Sequence, residues 1–114
     1  MKKTVVAAAL TIFCTSPVRS ETGAELLQDN QAFGVGFVWG AVTYMVEDYS
    51  LNDDVYNRLT YHRSTCLSKA GVTAKTMYDA VTQEIRADPS LLAKSATVAL
   101  QSVTYKICGA PPKP

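Results

Sequence analysis

Residues 34–42 read GVGFVWGAV and continue through Met45 and Val46, so one apolar stretch contains three glycines. Glycine costs up to about 1 kcal/mol relative to alanine inside a helix. The apolar residues 32–46 are too few to cross a bilayer, because a transmembrane helix needs about 20 residues. Since a helix that is apolar on all sides is normally buried, the stretch predicts a core helix over residues 31–49.

Two of these glycines share one face of the predicted helix. Gly36 and Gly40 lie four residues apart, and neither carries a Cβ atom that would hold a neighbour away. We therefore expect this pair to serve helix packing, either in the core or in a homodimer interface. Gly34 is expected to help the chain enter the helix. Burial of the helix also places three aromatic side chains in the core: Phe37, Trp39 and Tyr44.

The rest of the chain carries helix signals and few strand signals. Thr22 and Glu25 have the spacing of a capping box and predict a short first helix. Thr73 is a suitable N-cap for a helix whose apolar stripe is Met77, Tyr78, Val81 and Ile85. Asp88 and Pro89 are expected to start the last helix, which is predicted to run over residues 90–107.

The segment between these helices is polar and rich in tyrosine. Residues 50–65 read SLNDDVYNRLTYHRST, and they predict at most a short, irregular helix from Asp54 to Tyr61. No internal repeat or second domain is visible. The chain is therefore predicted to be an all-α, small single-domain bundle of four main helices, with the domain spanning residues 21–114.

The first 20 residues have the layout of a secretory signal peptide. Lys2 and Lys3 precede a short apolar stretch. Val18 and Ser20, three residues and one residue before Glu21, have the small or medium size that a signal-peptide cleavage site requires. We expect cleavage between residues 20 and 21. Without the signal peptide, 8 basic residues remain against 10 acidic ones, a net charge of about −2. That balance does not favour a nucleic-acid partner, and no cluster of basic residues is present.

Two cysteines remain after removal of the signal peptide. Cys66 and Cys108 form an even pair in an exported protein, which predicts a structural disulfide in the C-terminal half. His62 lies four residues before Cys66 and leaves two alternatives open, a Cys–His nucleophilic pair or half of a metal site. Both alternatives require a free Cys66 thiolate.

Sequence signatures of catalysis are not found. The chain has no phosphate-binding loop, no GxGxxG, no HExxH and no Cys/His cluster with metal-ligand spacing. One histidine is too few for most catalytic triads. We therefore predict no catalytic residue, no metal, no cofactor and no enzymatic activity.

Three short motifs, in a fixed order, resemble those of a known family. They are Gly36-Phe37-Val38-x-Gly40, then Cys66-Leu67 with Val72-Thr73, then Ala99-Leu100 with Cys108. In this order they resemble the Rap/Tai family of immunity proteins, which act against amidase effectors of the type VI secretion system. The resemblance covers residues 23–109. It departs from the family pattern at Gly34, where the family often has cysteine, and at Ser68, where it usually has proline.

The resemblance implies a periplasmic inhibitor that binds a peptidoglycan amidase effector and protects the producer or its kin from cell-wall cleavage. It also implies a helical fold that can dimerise. Contacts with the effector are expected in the polar segment, at Asp53, Asp54, Tyr56, Arg58, Tyr61 and His62. Two alternatives remain: a periplasmic binding or chaperone-like module without an amidase partner, and a small enzyme that uses Cys66 and His62.

Overall fold

The structure, a computed structural model, describes residues 21–113, and the predicted signal peptide lies outside the described residues. Within this range the chain forms five α-helices and one short 3₁₀ helix, so the all-α prediction is confirmed. In chain order these are α1 (Gly23–Gln28), α2 (Gln31–Glu47), α3 (Asp54–Ala70), α4 (Ala74–Ala87), the 3₁₀ helix (Pro89–Leu92) and α5 (Ala96–Cys108).

Local side-chain caps set several of the helix ends. The Thr22 hydroxyl accepts a hydrogen bond from the Glu25 amide at 3.2 Å, so the predicted N-cap of α1 is confirmed. The Glu25 carboxylate accepts from the Thr22 hydroxyl and not from the Thr22 amide, so the reciprocal bond of the predicted capping box is replaced by a bond between side chains. Thr73 caps α4 through the amide of Thr76 at 3.2 Å. α3 ends at Gly71, whose φ of 64° is a left-handed conformation that glycine adopts without strain.

The polar segment is more regular than its sequence predicts. Instead of a short irregular helix, α3 is a regular helix of 17 residues. Asp53 caps its start by accepting a hydrogen bond from the Tyr56 amide, and Thr60 and Leu67 are its buried side chains. A narrow buried face and a good cap are enough to hold a polar helix against a bundle, because tertiary packing supplies most helix stability.

The last predicted helix is broken into two pieces. Ser95 starts α5 by accepting a hydrogen bond from the Thr97 amide. The break is paired with the start of the chain, where the Glu21 carbonyl accepts a hydrogen bond from the Ala96 amide at 2.7 Å and the Lys94 carbonyl accepts one from Gly23 at 2.9 Å. These long-range bonds replace the helix bonds that a continuous helix would have made.

The core lies between α4 and its neighbours α1, α2 and α5. The predicted stripe on α4 is confirmed for Met77, Val81 and Ile85, which are at most 1% exposed. The predicted disulfide is also confirmed: Cys66 near the end of α3 is bonded to Cys108 at the end of α5, with Cα atoms 5.8 Å apart. α3 is therefore held against α5 by a covalent bond.

The expectation that α2 is buried on all sides is wrong. Only Gly34, Val38 and Val42 of this helix are buried, whereas Phe33 is 61% and Tyr44 is 70% exposed. Trp39 is also exposed, and Phe37 is partly buried against the core. The physical reason is that α2 lies at the edge of the bundle, where a domain this small has no further element to cover its outer side.

The three glycines of α2 have different surroundings. Gly34 is the closely packed one: a Cβ atom there would lie 2.6 Å from Cε2 of Tyr78. Ideal Cβ atoms at Gly36 and Gly40 would have no neighbour within 4 Å. Packing of Gly36 and Gly40 inside the core is therefore excluded, and their role in a homodimer stays a prediction. None of the helices within residues 21–113 is long and apolar enough to span a membrane.

Candidate functional site

The outer side of α2 forms a groove with α3 and α5, which we call the α2–α3–α5 groove. Its volume is about 670 Å³, within the range of roughly 300–1,000 Å³ that is usual for ligand sites. α2 supplies Gly36, Phe37, Gly40, Ala41, Tyr44 and Met45. The facing helices supply Tyr56 and Arg63 from α3, and Thr97, Leu100 and Gln101 from α5. Glycine and apolar side chains therefore dominate the surface that α2 contributes.

Arg63 is the one charged residue that lines this groove. Partial burial lowers the pKa of its guanidinium, and the neighbouring Tyr56 acts in the opposite direction. Arginine nevertheless stays protonated at neutral pH, because the ordinary pKa of a guanidinium lies far above neutrality. Within residues 21–113, ion pairs join Lys75 to Asp79 and Lys106 to Glu84, and none involves Arg63. The groove thus contains a permanent positive charge that forms no ion pair with a carboxylate of residues 21–113.

Hydrogen bonds tie the loop between α2 and α3 to the groove. The Tyr56 hydroxyl donates to the Asp48 carboxylate, and this bond raises the pKa of Tyr56 above its ordinary value. The Asp48 carbonyl accepts from the Thr60 hydroxyl at 3.0 Å. The side-chain amide of Asn57 bonds both to the amide and to the carbonyl of Ser50. These bonds link the end of α2 to the first turns of α3.

The six predicted contact residues do not form one surface. Positions 54, 58 and 61 point to one side of α3, and positions 56 and 63 point about 180° away at roughly 100° per residue. Asp54, Arg58 and Tyr61 line a second, shallow hollow of about 630 Å³ with Tyr49 and Asn57. Only Tyr56 of the predicted set lines the α2–α3–α5 groove.

The remaining two predicted residues have structural roles. Asp53 is the N-cap of α3. The Nε2 atom of His62 lies 3.0 Å from the Cys108 carbonyl and 3.2 Å from the Gly109 carbonyl. Because both partners are acceptors, this nitrogen carries the proton and donates to the end of α5. His62 therefore holds the C-terminal end of α5 against α3.

The alternatives that require a free Cys66 are not met, because its sulfur is bonded to that of Cys108. Among residues 21–113, no group of three or more His, Cys, Asp or Glu side chains is placed to hold a metal ion.

Sequence reasoning missed most of the α2–α3–α5 groove. Gly36 and Gly40 were identified, but they were assigned to packing, and Tyr44 was assigned to the core. Arg63 received no role. One signal was available in the sequence. A 17-residue helix that is apolar on all sides has more apolar surface than the rest of a domain of about 94 residues can bury, so one side of the helix had to remain exposed.

The fold and the groove define a small, disulfide-linked, all-α domain with an open and largely apolar groove. Comparison of the chain with protein-family models, with curated proteins and with solved structures gives no match in any of the three.

Proposed function

We propose that this chain is a periplasmic immunity protein that binds and inhibits a peptidoglycan amidase effector of a type VI secretion system. The observation that carries the binding role is the distribution of exposed apolar side chains. Eight of the twelve large hydrophobic residues that are exposed lie between Phe33 and Tyr61, on α2, the following loop and α3. They lie on two sides of α3, because Tyr44 and Tyr56 line the α2–α3–α5 groove whereas Tyr49 and Tyr61 line the second hollow. Exposed apolar side chains in this number on neighbouring elements favour a protein interface.

The composition of this region also favours a protein partner. Trp39, Tyr44, Tyr49, Tyr56 and Tyr61 are all exposed there. Tryptophan, tyrosine and arginine are the residue types that contribute most to binding energy at protein interfaces. Tyrosine suits this role because its ring buries a large apolar area while its hydroxyl can still form a hydrogen bond.

An inhibitor of this kind requires a rigid surface and no chemistry of its own. The disulfide, the His62 contact and the bonds between Asn57 and Ser50 hold α3 in a fixed place relative to α5 and α2. A surface that is already ordered loses little conformational entropy when it binds, and this favours tight binding. Blocking an active-site cleft then requires a dissociation constant below the effector concentration and at least as much inhibitor as effector.

The amidase partner and the periplasm are supported by the sequence. The resemblance to the Rap/Tai family supplies the partner class, and the signal-peptide pattern of residues 1–20 supplies the export route. The Cys66–Cys108 disulfide is compatible with an oxidising compartment.

The proposal is tested by co-expression. Peptidoglycan amidase effectors from the same bacterium are directed to the periplasm one at a time, with and without this protein, and lysis is followed by optical density. We expect the full chain to prevent lysis by one effector and to co-purify with it. A chain without residues 1–20 serves as the control, and it should not protect because it stays in the cytoplasm.

Equal lysis with every amidase, when the protein is exported and folded, would contradict the proposal. It would favour the alternative, a periplasmic helical binding module without an amidase partner.

A further inference from the structure

We infer that the α2–α3–α5 groove receives a segment of the effector that places an apolar side chain over Gly36 and Gly40 and a carboxylate on Arg63. This inference rests on the proposed function, because it takes the partner to be the amidase. It adds which surface of this protein is occupied and which chemistry the occupant must have.

The glycines supply the first argument. Gly36 and Gly40 lie inside α2, where glycine weakens a helix relative to alanine. Neither has a positive φ, and a Cβ at either position would meet nothing within 4 Å. Backbone conformation and internal packing therefore do not require glycine at these positions. Because Gly36 and Gly40 have no side chains, another chain can contact the backbone of α2 directly on its outer side.

Arg63 supplies the second argument. Its guanidinium is partly buried, faces an otherwise uncharged groove and has no ion-pair partner among residues 21–113. A partly desolvated guanidinium with five N–H donors is best satisfied by a carboxylate, whose two oxygens match its planar geometry. The occupant is therefore expected to carry an Asp or Glu side chain, or a C-terminal carboxylate, at the Arg63 end of the groove.

Charge complementarity also decides between the effector and a second copy of this chain. In a two-fold symmetric contact, the groove of one copy would face the groove of the other. No acidic residue lines the groove, and the nearby Asp48 carboxylate already accepts a hydrogen bond from Tyr56. The groove lining of the second copy would therefore offer Arg63 no carboxylate to pair with. A different chain that presents an acidic residue would supply the carboxylate that Arg63 lacks.

The experiment measures binding of an amidase that the wild-type protein neutralises in co-expression. Arg63→Glu reverses the charge in the groove, and Arg86→Glu makes the same charge change at an exposed position of α4 that does not line the groove, as a matched control. We expect Arg63→Glu to weaken binding by about tenfold or more, and Arg86→Glu to change it by less than about threefold. Thermal unfolding of each variant confirms that it is folded.

A second variant keeps the test valid if Arg63→Glu fails to fold. Gly40→Leu places a branched apolar side chain in the groove, and its Cβ atom would have no neighbour within 4 Å. It should leave the fold intact and weaken amidase binding by about tenfold or more.

Raising the NaCl concentration from about 50 mM to about 500 mM should weaken amidase binding by the wild-type protein more than amidase binding by Arg63→Gln, because salt screens an ion pair.

The outcomes separate the two proposals. If the wild-type protein binds none of the amidases, the proposed function and this inference both fail. If it binds an amidase and both Arg63→Glu and Gly40→Leu bind equally well, only this inference fails. If Gly40→Leu abolishes a dimer in size-exclusion chromatography but leaves amidase binding unchanged, the groove belongs to a second copy and the inference is overturned.

Discussion

The two sides of α2 carry the same residue type in opposite roles. On the inner side, Gly34 is buried, and the ring of Tyr78 occupies the space that a Cβ atom would need. On the outer side, Gly36 and Gly40 face empty space in the α2–α3–α5 groove. Positions two residues apart on a helix point about 200° away from each other, so the inner and outer glycines cannot serve the same contact. The role of each glycine follows from what lies opposite it.

α4 differs from α2 in a way that sharpens this point. α4 is amphipathic: Met77, Val81 and Ile85 are buried, while Lys75 and Gln83 are exposed. α2 has no polar face, so its outer apolar side remains exposed. The amphipathic helix contributes mainly to stability, and the uniformly apolar helix contributes both to stability and to the candidate site.

The largest predicted effect concerns the disulfide that holds the outer wall of the groove. Replacing Cys66 and Cys108 together by serine should lower the free energy of unfolding by about 4 kcal/mol, because a closed loop of 42 residues restricts the unfolded chain. Urea unfolding measures this. A reducing agent should destabilise the wild-type protein by a similar amount and leave the double variant unchanged. A loss below about 1 kcal/mol would show that packing alone holds α3 against α5.

The next effect tests the inner side of α2. Gly34→Ala puts a methyl group 2.6 Å from Tyr78 and 3.4 Å from Leu26, so the ring must move. Overpacking of this kind costs about 1–3 kcal/mol, which the better helix propensity of alanine offsets by up to about 1 kcal/mol. We expect a net loss of about 1 kcal/mol in the free energy of unfolding, measured by the urea midpoint.

The matched variant on the outer side should have the opposite sign. Gly40→Ala meets no atom within 4 Å, so only the propensity gain of about 0.5–1 kcal/mol remains. Gly40→Ala should therefore unfold at a higher urea concentration than the wild-type protein. If Gly34→Ala and Gly40→Ala shifted the midpoint in the same direction, the contrast between the two sides of α2 would be wrong.

The smallest effect concerns the ion pair between α4 and α5, on the packed side of the bundle. Hydrogen bonds from Lys106 at 2.7 Å and from Ser102 at 3.0 Å lower the pKa of Glu84 below its ordinary value. A carboxylate whose pKa is lower in the folded state contributes stability above its unfolded pKa, and this contribution is lost as the pH falls through the folded pKa.

Glu84→Gln should therefore lower the free energy of unfolding by less than about 1 kcal/mol near neutral pH. The difference from the wild-type protein should shrink as the pH falls below about 4. Urea midpoints across this pH range measure it, with Asp79→Asn in the exposed Lys75–Asp79 pair as the control. A difference that does not change with pH would assign the effect to packing instead of charge.

Sequence reasoning predicted the elements well wherever a signal acts over a few residues. The Thr22 and Thr73 caps, the α4 stripe and the even cysteine pair are local or compositional features, and all are confirmed. Two predictions were wrong: that the helix in the polar segment is short, and that the last helix is continuous over residues 90–107. Both depend on distant partners: α3 on its packing against the bundle, and the break on two hydrogen bonds with the other end of the described chain, where the Glu21 carbonyl accepts from Ala96 and the Gly23 amide donates to Lys94.

For the candidate site, too, local features of the sequence were predicted and contacts between helices were not. The four-residue spacing of Gly36 and Gly40 in an apolar helix drew attention to that pair, and the composition of residues 50–65 drew attention to their tyrosines. Neither indicated that Tyr56 and Arg63 face the glycines of α2, or that Arg58 and Tyr61 face away from them. Such pairings depend on how three helices pack, and helix periodicity gives the faces of each helix without telling which neighbour covers them.

By itself, then, the sequence determined an all-α chain with a disulfide between Cys66 and Cys108 and one helix that is apolar on all sides. Caps, periodicity and composition are enough for this, because each acts within a few residues or over the whole chain. Only the tertiary structure decided which side of α2 is covered. Tyr78 of α4 fills the space next to Gly34, and no element of the described chain reaches the space next to Gly36 and Gly40.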